Sequence, residues 1–107
     1  MPHARLEYSA GLALDALRVL AAVEAVLQAR DPGSGDCKGR AYPAPQSHHD
    51  SVYLEVSMLP KAHRDAAWCV ALRGELVTAL TPLIPRPAWL SIDLRFSGAH
   101  YFTTRLT

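Results

Sequence analysis

The chain has 107 residues and a mass of 11.7 kDa, room for a single domain spanning 1–107. Half of its residues are hydrophobic and a fifth charged, the make-up of a globular protein rather than a disordered one. Eleven basic residues stand against ten acidic ones, and the resulting net charge of +1 gives no reason to expect a nucleic-acid partner or a membrane surface.

Residues 2–9 alternate, with Ala4, Leu6 and Tyr8 pointing one way and His3, Arg5, Glu7 and Ser9 the other, which predicts a strand with one apolar face. Ser9 offers a helix cap. From about Leu12 to Arg30, Ala13, Ala16, Leu17, Leu20, Val23 and Leu27 recur at helical spacing, and Asp31-Pro32-Gly33 stops the run. Residues 31–50 form a connection rich in Gly, Pro and Ser, with room for a short extended piece from Lys38 to Tyr42. Ser51 to Leu59 alternates again, burying Val52, Leu54, Val56 and Met58. A second helix is expected from about Lys61 to Leu80, with a stripe of Ala66, Cys69, Val70, Leu76, Val77 and Leu80, and Pro82 beyond its end. Trp89 to Phe96 is the last clear strand, and residues 100–107 have room for a short extra one.

Strand, helix, strand, helix, strand is an α/β (α+β) order, and two strands joined through a helix lie parallel with a right-handed crossover. The two helices would cover Leu6, Leu54 and Ile92, leaving Arg5, Glu7, Tyr53, Glu55, Asp93 and Arg95 on the opposite face. That face is either a solvated surface of paired charges or the interior of an oligomer; parallel sheets are seldom left open on one side, which favours the oligomer. Arg5, Glu7, Asp15 and Arg18 interrupt the amino-terminal stretch, and Arg73 and Glu75 break the later apolar one. No signal peptide or membrane span is expected, and the expected location is cytoplasmic. Cys37 and Cys69 are too few for a disulfide framework or a zinc site.

The residue with chemistry to offer is Pro2. Removal of Met1 would expose a secondary amine, both nucleophile and base, at the mouth of a strand that holds it still. Burial and nearby cations disfavour its charged form and draw its pKa toward neutrality, where a general base works best. With Met1 attached the nitrogen is an amide and has no such basicity.

Pro2-His3-x-x-x-Glu7-Tyr8-Ser9, the Lys38-Gly39-Arg40-Ala41 segment, His49-Asp50 entering the second long strand, Arg64 at the second helix and Leu90-Ser91-Ile92 together resemble the 5-carboxymethyl-2-hydroxymuconate Δ-isomerases, a branch of the tautomerase superfamily. The resemblance implies two β-α-β units forming one mostly parallel sheet, with two helices on one face, assembled as a homotrimer. It implies a cofactor-independent isomerase that moves a proton in an unsaturated, carboxylated 2-hydroxy or 2-oxo acid, a small-molecule substrate of aromatic-compound breakdown. Pro2 would be the base. Arg64 and either Lys38 or Arg40 would bind carboxylates, since a guanidinium grips a carboxylate bidentately and stabilises a dienolate. His49 would lie beside the substrate. Residues after Phe96 fall outside the resemblance.

Other readings are weaker. His48, His49 and Asp50 are adjacent and lack further ligand spacing, so no metal is expected. Cys69 reads as core, His63 as exposed, and Tyr53 as a site wall or an interface side chain. Gly33 and Gly35 lack the setting of a phosphate loop, and no serine or cysteine triad has support. The alternatives to the isomerase are proline-dependent hydratase or decarboxylase-type chemistry, and a catalytically silent trimeric binding or assembly protein.

Overall fold

Period-two alternation makes the two central strands. In the computed structural model, which describes residues 1–107, β1 (His3–Ser9) buries Ala4 and Leu6, and β3 (Ser51–Met58) buries Val52, Leu54, Val56 and Met58. They pair antiparallel, with Leu6 opposite Leu54. The edge strands β2 (Lys38–Ala44) and β4 (Trp89–Phe96) join them in parallel, giving the order β2-β1-β3-β4. Two parallel pairs and one antiparallel pair make the sheet mostly parallel, as expected. β2 runs two residues further than its sequence predicts: Pro43, which cannot donate to a ladder, is tolerated because it lies on an edge strand.

Both helices begin later than the periodicity predicts. α1 (Ala16–Arg30) is capped by Asp15, whose carboxylate accepts from Arg18 N at 3.1 Å; α2 (Ala66–Leu80) is capped by Asp65, which accepts from Trp68 N at 2.9 Å. Ser9 caps nothing: its hydroxyl accepts from Ser51 N at 2.9 Å and ties β1 to the entry of β3. The buried stripes also differ from those expected. α1 buries Val19, Val23 and Leu27, and α2 buries Leu72, Leu76 and Leu80, strict four-residue steps, while Leu17, Val70 and Val77 face outward. Cys69 is half-buried at the stripe's margin rather than in the core. These stripes and the even-numbered side chains of β1 and β3 form one core that also takes in Ile84.

α1 crosses β2 closely at Gly39, where a Cβ would sit 2.9 Å from Leu20 Cδ2 and the leucine side chain would have to shift. The uncovered sheet face carries a ladder of charges. Arg5 pairs with Glu55 at 2.6 Å and Glu7 at 3.3 Å, Arg95 reaches Glu55 at 3.0 Å and Asp93 at 2.9 Å, and the Tyr53 hydroxyl donates to Asp93 at 3.3 Å. Residues after Phe96 form no further strand; they turn back toward the start of the chain. No helix is long and apolar enough to cross a membrane.

Candidate active site at the start of the chain

Proline has a fixed φ and no N–H, so it can enter a strand only where no donor is needed. Pro2 does so at the head of β1. Its ring is buried, and its carbonyl accepts from Lys38 N at 2.9 Å, which locks it to the first residue of β2. Met1 follows the same line outward, and its sulfur accepts from Lys38 Nζ at 3.3 Å.

Cations surround this point. Burial first, then Lys38, Lys61 and Arg64, push the terminal amino group below its ordinary pKa. His3 is likewise pushed down by burial, Lys38, Arg40 and the amino terminus, so its ring is neutral near pH 7. Neither Lys38 nor Arg40 takes part in an ion pair. Lys38 stands opposite His3 in the β1–β2 register and Arg40 opposite Arg5, so both belong to the uncovered face. Arg40 shares a small hollow of about 140 Å³ there with His3, Arg5, Glu55 and Ser57.

Arg64 is placed near the chain start but already holds a carboxylate, the protein's own. Its Nε and Nη2 donate to Asp31 Oδ2 at 3.1 and 2.7 Å, its Nη1 donates to the Leu59 carbonyl at 2.7 Å, and its side chain is 4% exposed. The guanidinium lies 5.4 Å from the centre of the Trp68 ring, which completes its enclosure. Hydrogen bonds from Arg64, and then from exposed His63 at 3.0 Å, hold the Asp31 carboxyl below the usual range. Arg64 therefore bears on the Met1 amine only through space, and each of its three side-chain nitrogens already donates to Asp31 or Leu59. It also precedes α2 rather than opening it.

His49 is not brought to Pro2 within one chain. It precedes β3 at the far end of the sheet, about 20 Å away along seven-residue β1. Its φ of 100° is left-handed, and Ser47 Oγ donates to its carbonyl at 2.7 Å. With Asp50, Pro87, Ala88 and Trp89 it lines a cavity of about 430 Å³.

Sequence reasoning missed four residues that the fold brings to the chain start or to Arg64. Lys61 adds to its positive surroundings, and Asp31, read as part of a helix stop, neutralises Arg64. Tyr101 folds over the chain start: its hydroxyl lies 2.9 Å from His3 Nε2 and donates to the Met1 carbonyl at 3.4 Å. Arg105 lines a cavity of about 420 Å³ with Met1, Asp36, Lys38, Thr103 and Thr104. Local charge was the only available signal for Lys61 and Arg105; none marks Tyr101, which lies 98 residues from its partner His3.

Two β-α-β units sharing one sheet, with their helices on one face and a proline at the head of the first strand, define the tautomerase fold. The chain has that fold over essentially its whole length. A 5-carboxymethyl-2-hydroxymuconate isomerase from Deinococcus radiodurans superposes with a TM-score of 0.76 at 21% identity, covering 98% of this chain and 90% of that one. A 5-carboxymethyl-2-hydroxymuconate Δ-isomerase gives 0.71 at 20% identity, covering 100% and 89%. A fused 4-OT symmetric trimer also gives 0.71, at 9% identity, covering 96% and 93%. No protein-family model matches the chain, and no curated protein matches it.

Proposed function

We propose that the protein is a cofactor-independent isomerase of unsaturated, carboxylated 2-hydroxy or 2-oxo acids, with Pro2 as its base once Met1 is removed. The observation that carries this reading is the setting of the chain start, a buried proline clasped to β2 and ringed by Lys38, Lys61 and Arg64. The causes that lower the Met1 amine would act on a terminal Pro2 nitrogen one residue further in, keeping a fraction neutral near pH 7. That nitrogen takes the 2-hydroxyl proton, leaving a dienolate, and returns a proton to a distal carbon; no electrons leave the substrate. Lys38 is the nearest unpaired cation for a carboxylate or the dienolate oxygen, with Arg40 next along the same strand face. Arg64 tunes the amine electrostatically. His49 has no place in this scheme within one chain.

Likeness to structures of isomerases favours proton transfer over hydration or decarboxylation on this fold. The uncovered charged face supports a homotrimer with the sheets turned inward, as does the trimeric neighbour. The test is direct. Confirm loss of Met1 by intact mass, then follow ketonisation of phenylenolpyruvate beside Pro2→Ala. A general base is worth about 10²–10⁴-fold, and a loss under tenfold would overturn the proposal.

A further inference from the structure

We infer that residues 98–107 are the outer wall of the Pro2 site, with Tyr101 as its latch and Arg105 as a carboxylate-binding residue sharing one cavity with Lys38. The inference rests on the reading of Pro2 as the base and adds to it the residue that grips the far end of the substrate.

Three observations lead there. First, the cation expected to bind carboxylate, Arg64, has every donor nitrogen already bonded to Asp31 or Leu59. A substrate carboxylate would have to displace a buried partner, whereas Lys38 and Arg105 are in no ion pair. Second, Lys38 and Arg105 line the same cavity of about 420 Å³, within the range of small-molecule sites. Two cations face one acid there, Asp36, and Thr103 and Thr104 supply hydroxyls able to donate to an anion. Met1 itself lines this cavity and occupies Lys38 Nζ, so its removal both frees the ammonium and enlarges the space beside the new amine.

Third, the wall is fastened at a fixed point. The Tyr101 ring meets His3 edge to face at 5.8 Å, and its hydroxyl is bonded to the His3 ring. His3 is the residue after the proposed base, and its ring Nε2 lies 2.9 Å from the tyrosine hydroxyl, within hydrogen-bond distance. The latch thus sets the tail against β1 next to the reacting nitrogen. Arg105, four residues beyond it, is exposed and lines the cavity. A substrate with carboxylates at both ends would place one near Pro2 and Lys38 and the other at Arg105, so the tail selects dicarboxylates over monocarboxylates.

The test uses the processed full-length chain and two six-carbon probes, adipate and hexanoate, titrated by NMR. Adipate is expected to bind tighter than hexanoate. Arg105→Gln should weaken adipate about fivefold and leave hexanoate unchanged, Arg105→Lys should recover part of the loss, and Tyr101→Phe should show a smaller loss of the same sense. With an enolised dicarboxylate as substrate, Arg105→Gln should raise KM about fivefold with kcat within twofold. Equal binding of the two probes by the unmodified protein, or adipate affinity unmoved by Arg105→Gln, overturns the assignment. If Pro2→Ala stops turnover while Arg105→Gln changes neither KM nor adipate binding, the tail assignment falls and the base stands. If Pro2→Ala leaves turnover intact, the base falls and the adipate titration still decides the role of Arg105.

Discussion

The two halves of the molecule repeat one another to the level of single hydrogen bonds. Lys38 N donates to Pro2 O at 2.9 Å where β2 meets β1, and Trp89 N donates to Asp50 O at 3.0 Å where β4 meets β3. Each half follows with a 15-residue helix capped by an aspartate. At each clasp a cavity of similar size opens, about 420 Å³ beside Pro2 and about 430 Å³ beside Asp50. The chemistry at the two is opposite. The first mouth has the terminal amino group with Lys38, Lys61 and Arg64 around it; the second has a carboxylate, a left-handed histidine backbone and a tryptophan that is 71% exposed. The architecture supplies two equivalent positions, and it is the side chains placed there that differ; the function proposed above uses only the first.

The largest expected break in that equivalence is at the clasp residues themselves. Pro2→Ala in the processed chain should lower kcat/KM by about 10³-fold, whereas Asp50→Ala should change it less than twofold, measured on the same enol substrate. Next comes Arg64, which precedes the helix cap of the second half and pairs across to Asp31 of the first; the first half has Leu14 in the corresponding place. Arg64→Met should cost about 3 kcal/mol in urea unfolding, because it strands Asp31 in a site where the pair is mostly enclosed. The acid limb reports the same pair with a definite sign. Asp31 is held below its unfolded pKa, so its contribution is present above that value and is lost as pH falls through the folded one. Asp31→Asn should therefore flatten the loss of stability below about pH 4.

A smaller effect sharpens the electrostatic contrast. Lys38→Gln removes the largest cationic influence on the chain start, so the rising limb of kcat/KM against pH should move upward by less than about one unit. The smallest is on the uncovered face: Glu55→Gln breaks pairs with Arg5 and Arg95 that remain half-exposed in one chain, and should cost under about 1 kcal/mol if that face is solvated. A loss several times larger in a sample of defined oligomeric state would mark the ladder as enclosed by neighbouring copies.

Legibility followed the range of the forces involved. β1 and β3 were readable because alternation is a local consequence of one buried face, and Leu6 and Leu54 lie on it. Helix starts were misplaced because Ser9 and Asp15 carry the same capping chemistry; Ser9 is claimed instead by Ser51, 42 residues away. Leu17, Val70 and Val77 satisfied helical spacing as well as the true stripes did, and only the position of the sheet chooses between them. That Pro2 leads straight into a strand was legible from the alternation after it, and the cationic character of the chain start from Lys38 and Arg64. What Arg64 binds was not, since its partner Asp31 stands 33 residues earlier, and neither was the return of Tyr101 over His3.

One neighbour of the site bears on how it can be marked chemically. Cys37, adjoining Lys38, has its thiol pushed up to about 11 by burial and by Glu24, whose carboxylate also accepts from the Cys37 backbone N at 2.8 Å. Its sulfur stays protonated under physiological conditions and is a poor target for alkylating or oxidising reagents, which need the thiolate. An electrophile offered at neutral pH would thus pass over that sulfur, an inertness that a mass map of the modified peptides would display directly.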